Sequence, residues 1–155
     1  MDPNKLQLLY DRMEIIDTLN RYATSVDTRD WDLFLTCYTD EMIADMVSVG
    51  FEEALTMPAT DFLAIIRQAV SPFDSTQHLI SNHVIDIDGD SATCVCYLQA
   101  QHFSQDDTGP HTVLIGGYYS NSLIRTPAGW RIDKYKVVKT WMTTTSSRPS
   151  KDTAG

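Results

Sequence analysis

The sequence predicts a single α+β domain: three amino-terminal helices packed on a strongly curved antiparallel sheet whose concave side forms one deep pocket. Three observations carry that expectation. Apolar residues recur at three-and-four spacing through the first part of the chain. Long stretches of strand character, parted by short polar turns, fill the remainder. The length of 155 residues, with 43% hydrophobic and 21% charged residues, fits one domain with its own core. Helices followed by a run of antiparallel strands place the helices together on one face of the sheet.

The elements follow in order. From Lys5 to Val26, the residues Leu8, Leu9, Ile15, Ile16, Leu19, Tyr22, Ala23 and Val26 form the apolar stripe of an amphipathic helix. Asp30 caps a second, short helix that turns Trp31, Phe34 and Leu35 inward. Glu41–Val49 reads as a strand, and Gly50 and Pro58 limit regular structure beyond it. Thr60 opens a third helix with Phe62, Leu63, Ile65, Ile66 and Ala69 as its stripe, stopped by Pro72. Thr76–Asp88 is a strand that runs into Asp88-Gly89-Asp90, a hairpin signal. Ser91–Ser104, His111–Thr126 and Trp130–Thr143 follow as strands, joined by turns at Gln105–Pro110 and Pro127–Gly129. Residues 1–143 make up the domain; 144–155 have nothing to bury and are expected to be a disordered tail.

Composition excludes several functions. A net charge of −9 disfavours nucleic acid and anionic membranes, both of which call for clustered Lys and Arg. No apolar run approaches the ~20 residues of a membrane span, and the mixed amino terminus does not read as a secretory signal. Cys37, Cys94 and Cys96 are an odd set without a C-x-x-C, expected to be buried free thiols in a reducing compartment, hence the cytoplasm. There is no Gly-rich phosphate loop and no nucleophile elbow. His78 and His83, five apart in a strand, make a metal site unexpected. Gly116-Gly117 inside a strand marks a sharp bend or a close ligand approach.

Few residues remain to carry chemistry. Asp27 continues the apolar face of the first helix, where a carboxylate must be paired, or else it marks the helix end and faces water. His78 opens a strand. Strict alternation from Ile85 and Ile87 turns it outward and His83 inward, while a bulge within Ser81–Val84 reverses this. His102 ends a face of Ala92, Cys94, Cys96, Leu98 and Ala100, either as a desolvated ring on a cavity wall or as a strand end meeting solvent. Tyr22, Tyr38, Tyr97, Tyr118, Tyr119 and Tyr135 supply phenols; most pack, and one or two orient a substrate oxygen or a water.

Short motifs add a resemblance. Val26-Asp27-Thr28-Arg29-Asp30-Trp31-Asp32, Pro58-Ala59-Thr60-Asp61-Phe62 and Thr76-Gln77-His78-Leu79-Ile80 resemble segments of scytalone dehydratase. Val113-Leu114-Ile115-Gly116-Gly117-Tyr118-Tyr119-Ser120-Asn121 is similar to a strand of γ-hexachlorocyclohexane dehydrochlorinase, and the Tyr22/Asp27 spacing to bile acid 7α-dehydratases. All belong to the nuclear-transport-factor-2-like superfamily, and the likeness spans most of residues 5–145. It implies a cone-shaped fold without metal or organic cofactor, with Asp27 and His78 as the catalytic pair and His102 near a second histidine. Tyr22 joins the catalytic set, and Tyr38, Tyr118, Ser120 and Tyr135 are the expected substrate contacts. Val26 and Met46 replace tyrosines of scytalone dehydratase, and Tyr22 and Tyr135 replace cations expected in the dehydrochlorinase, so the leaving-group machinery fits neither family.

The expected chemistry is a cofactor-free elimination on a small hydrophobic, cyclic or polyketide- or steroid-like substrate. His78 acts as base, Asp27 fixes its tautomer, and Tyr22, His102 or a water protonates the leaving group. The same scaffold also hosts isomerase- or cyclase-like proton shuttles and non-catalytic binding or assembly subunits. The last two strands carry apolar residues at both parities, which leaves a face for a partner subunit. A homo-oligomer is expected, the resemblance favouring a trimer over a dimer.

Overall fold

Asp2 opens the first helix, its carboxylate accepting from the Asn4 N–H at 2.9 Å with Pro3 in the first turn, and the computed structural model describes residues 2–146. α1 (Pro3–Thr28) buries Ile15, Leu19, Tyr22, Ala23 and Val26. Leu8 and Leu9, expected on the same stripe, are exposed together with Leu6, Tyr10 and Met13; packing of α1 on the sheet begins at Asp11. Buried Asp11 takes both terminal nitrogens of Arg125 and the indole N–H of Trp130, joining α1 to the last two strands. α2 (Trp31–Leu35) has the expected cap, Asp30 accepting from the Leu33 N–H, but buries only Phe34 fully.

β1 (Tyr38–Asp45) is the strand expected at Glu41–Val49, shifted toward the amino terminus. Val47–Val49 is instead a single 3₁₀ turn ending at Gly50, whose φ of +113° suits glycine. A short strand absent from the sequence reading, β2 (Leu55–Pro58), pairs antiparallel with β1. α3 (Ala59–Val70) follows, with Phe62, Leu63 and Val70 buried and Pro72 just beyond its end. The rest is β3 (Ser75–Asp88), β4 (Ser91–Asp106), β5 (Gly109–Thr126) and β6 (Gly129–Ser146). The strand reaches past Thr143: residues 144–146 pair with His111–Val113, correcting the expected tail at those positions, while 147–155 lie outside the described residues.

The six strands lie in the order β2-β1-β6-β5-β4-β3. The sheet is antiparallel except at β1–β6, which pair in parallel, a correction to the all-antiparallel expectation. Register breaks on β3 and β6 bend it around the helices, because an extra residue in one strand of a pair kinks that strand. One break sits at Gly116-Gly117. A Cβ on Gly116 would lie 1.9 Å from the Trp141 indole and one on Gly117 2.0 Å from the Val138 carbonyl oxygen. These glycines admit β6, not a ligand. The core lies between the helices and the concave face, where Phe34, Phe62, Leu123, Trp130 and Ile132 are fully enclosed. Cys37, Cys94 and Cys96 are buried free thiols within it.

Candidate functional site

α1 stops at Thr28 because Arg29 turns left-handed, φ 60°, and the backbone N–H of Arg29 closes onto the last helical carbonyls. This ending sets Asp27 on the final turn, beside the start of β3. Whether His78 meets it depends on the bulge. Ser81 pairs with Tyr97 and Val84 with Val95, so Asn82 and His83 together oppose one residue of β4. The extra residue places His78 opposite buried Ala100, and Ile85 opposite buried Cys94, so both face the concave side. Asn82 supplies the kink with φ 57°.

His78 then contacts Asp27 twice. Its ring Nδ1 lies 2.7 Å from Oδ1 and its backbone N–H donates to Oδ2 at 2.7 Å. Thr76 donates its hydroxyl to Oδ1 at 2.9 Å, and the Thr76 oxygen accepts from Arg29 at 2.9 Å. Arg29 is held by the carbonyls of Val26 and Val70. Burial pushes the Asp27 carboxyl up, but the His78 ring, its backbone N–H, its charge and Thr76 together outweigh this, so the pKa falls below the ordinary carboxylate value. A charged Asp27 accepts the Nδ1 proton, which leaves Nε2 as the basic nitrogen. Nε2 has no hydrogen-bond partner among the described residues.

The His78 side chain is 7% exposed and that of Asp27 21%: the ring lies inside and the carboxylate behind it. His78 lines a cavity of about 240 Å³ between α1, α3 and the sheet, walled mainly by apolar groups such as Val26, Ile65, Leu98 and Ile115. His102 lines it too, its ring 5.7 Å from that of His78. Burial first, then the charge on His78, pulls His102 down to about 4, so it is neutral at physiological pH. Tyr22, Tyr119 and Tyr135 complete the polar lining, the Tyr22 hydroxyl 3.4 Å from that of Tyr119 and 3.3 Å from that of Tyr135. Burial raises all three phenols above their ordinary pKa, so they are protonated.

The structure thus brings Asp27, His78, His102, Tyr22 and Tyr135 together. Tyr38 is buried behind Tyr22, packed edge-on against it and against Phe62, but does not line the cavity. Tyr118 and Ser120 point the other way. They pair with Tyr97 and Val95, both exposed on the outer face, while Tyr119 pairs with fully buried Cys96. Tyr118 and Ser120, expected as substrate contacts, face away from this cavity, and Tyr119 lines it instead. Arg29 and Thr76, which position Asp27, were not singled out in the sequence. Among the described residues no group of three or more His, Cys, Asp or Glu side chains is placed to hold a metal. A larger and more open hollow, about 820 Å³, lies on the outer face between Leu79, Tyr97, Tyr118 and Trp141, away from the histidines.

With this geometry in place, residues 7–136 match the SnoaL-like domain, and the chain belongs to that family, within the nuclear-transport-factor-2-like superfamily. The Kfla4162 protein of Kribbella flavida is 33% identical and superposes with a TM-score of 0.83 over 88% of this chain and 95% of its own. The LinA-type3 hexachlorocyclohexane dehydrochlorinase of Novosphingobium barchaimii LL02 is 17% identical, with a TM-score of 0.77 over 91% and 94%. A protein provisionally named as a scytalone dehydratase, from Novosphingobium aromaticivorans DSM 12444, is 16% identical, with a TM-score of 0.75 over 90% and 91%. At such identities the last two establish the shared fold alone. No helix among the described residues is long and apolar enough to cross a membrane.

Proposed function

We propose that the protein is a cofactor-free lyase, dehydratase-like, acting on a small, hydrophobic, cyclic substrate in the cytoplasm. The observation that carries this is the 2.7 Å contact between His78 Nδ1 and Asp27 with the opposite ring nitrogen turned to an apolar cavity. Nε2 takes a proton from a carbon made acidic by a neighbouring carbonyl, and Asp27 holds the tautomer and stabilises the imidazolium that forms. The departing hydroxyl leaves with a proton from the Tyr22–Tyr119–Tyr135 cluster or from a water held there. The likeness to a dehydrochlorinase, itself named for an elimination, supports the same step here.

A second reading keeps the base and drops the leaving group. His102 is neutral, and apart from the phenols no acid among the described residues lines the cavity. That favours returning the proton to carbon, as in an isomerase- or cyclase-like shuttle. Mass spectrometry on a panel of small cyclic β-hydroxy ketones separates the two: elimination lowers the product mass by one water, and isomerisation leaves it unchanged. In either case His78→Ala should lower the rate about 10²–10⁴-fold, roughly 3–5 kcal/mol. A panel turned over equally well by His78→Ala would overturn both readings and leave a binding or assembly role. The exposed apolar groups of the outer sheet face support a homo-oligomeric arrangement.

A further inference from the structure

Two apolar surfaces of the chain have no partner within it. The first is a stripe on α1. Leu6, Leu9, Tyr10 and Met13 are each more than half exposed. Their i, i+3, i+4, i+7 spacing sets them along one side of the helix. At about 100° per residue, that side lies opposite the one carrying Asp11, Ile15, Thr18 and Tyr22, which is buried against the sheet. The stripe thus faces away from the protein's own core, and no shift of α1 on the sheet can bury it. Asp17 and Asn20, both exposed, end it.

The second surface is the hollow of about 820 Å³ on the outer face, between Leu79 of β3, Tyr97 of β4, Tyr118 of β5 and Trp141 of β6. No charged side chain among the described residues lines it. Spanning four neighbouring strands, it is about 14 Å across. The stripe is about 10 Å long. A ridge of four uncharged side chains fits the hollow in length and in polarity, and leaves no charge buried without a partner. The exposed parts of the stripe and of the hollow's aromatic rim come to on the order of 1,000 Å², the lower bound for a specific interface.

We infer that the amino-terminal turns of α1 in one copy of this chain fill the outer hollow of the next. This rests on the homo-oligomeric reading above and adds which surfaces meet. Direction decides how they meet. The helices cover the concave face and the stripe points away from the sheet on that side, whereas the hollow opens on the other. Two patches that face opposite ways cannot both meet one neighbour, so a two-fold pair would leave one of them bare. Each copy instead has one neighbour at its stripe and another at its hollow. Such a head-to-tail contact closes into a ring of three or more copies.

The test uses two variants of the full chain and light scattering at high micromolar concentration. Leu9→Lys/Met13→Lys breaks the stripe and keeps the hollow; Tyr97→Lys/Trp141→Glu does the reverse. All four residues are exposed, so both variants should keep the wild-type circular dichroism. Each alone should fall to 17.5 kDa, and an equimolar mixture should recover twice that mass, because one intact stripe and one intact hollow can meet once. A mixture that stays at the mass of one chain would overturn the contact. Wild-type mass retained by Leu9→Lys/Met13→Lys would overturn it too, while leaving an oligomer built on the sheet face alone. A wild-type monomer would overturn the oligomeric reading and the contact with it. Cross-linking by a short bismaleimide gives a second readout, since the native cysteines are buried. Leu9→Cys/Tyr97→Cys should link copy to copy, and neither single variant should. Linkage by Tyr97→Cys alone would place outer face on outer face and overturn the proposal.

Discussion

Asp27 is charged because three donors outweigh its burial, and the same three fix His78 in place. The ring and backbone of His78 and the hydroxyl of Thr76 converge on one carboxylate. Residues that share a network this closely do not act additively. Asp27→Asn and His78→Ala should each lose most of the activity, and the double variant should be little worse than His78→Ala; rates that multiply would show that the residues act separately. His102 gives a pH effect on stability. The fold keeps it neutral down to about pH 4, whereas in the unfolded chain it takes up a proton near 6.5. Between these values the unfolded state binds more protons, so stability falls as pH drops through that window, by on the order of 2–3 kcal/mol. Urea unfolding of wild type and His102→Leu at pH 4.5 and pH 7 checks it. The variant should lose distinctly less stability on acidification; equal losses would assign the effect to other groups, such as Asp27 at lower pH.

At the scale of elements, one extra residue in β3 decides whether a catalytic pair exists. Without the bulge at Asn82–His83, His78 would sit opposite Gln101 and face outward. Asn82 tolerates its left-handed conformation where a β-branched residue does not, so Asn82→Val should cost about 1–2 kcal/mol and Asn82→Gly little, read by thermal melting. Gly117→Ala is the harsher change, because the clash is with backbone at 2.0 Å and no rotamer relieves it; a loss of about 2 kcal/mol or more is expected. The helices and long strands were legible because burial on one side writes a period into the sequence. β2 was not, since its four residues are mostly exposed and carry no such period. The bulge was legible only as an alternative, because parity alone cannot say which side of a break is inverted. Tyr119 could have been chosen over Tyr118. The turn expected at Gln105–Pro110 has the same centre as the observed Asp106–Gly109 turn, and that centre pairs inward-facing Cys96 with Tyr119. Arg29 and Thr76 had no signal, as their contact joins residues 47 apart through a hydroxyl and a guanidinium that recur everywhere on protein surfaces.

At the scale of the whole molecule, the sheet has two faces and the helices cover one. The other carries Leu79, Val84, Val95, Tyr97 and Trp141, all exposed, and Leu79, Tyr97 and Trp141 line the outer hollow of about 820 Å³. A monomer rarely leaves so many large apolar groups together on one strand face, and antiparallel sheets with a solvated side alternate apolar with polar residues instead. β4 and β5 break that rule where Tyr97 lies directly opposite Tyr118. The closed symmetric association of identical chains covers such a face at no cost in new sequence, and each copy would bury the same strands. Light scattering at micromolar concentration should therefore give an integral multiple of 17.5 kDa, three by the resemblance to the dehydratases and two as the alternative. Tyr97→Lys with Trp141→Glu places charge at the centre of the face and should yield a folded monomer. Both residues lie outside the cavity, so the His78–Asp27 pair should survive unless assembly itself closes the site. A wild-type chain that scatters as a monomer would sink this arrangement and leave the outer face solvent-exposed or covered by residues beyond 146.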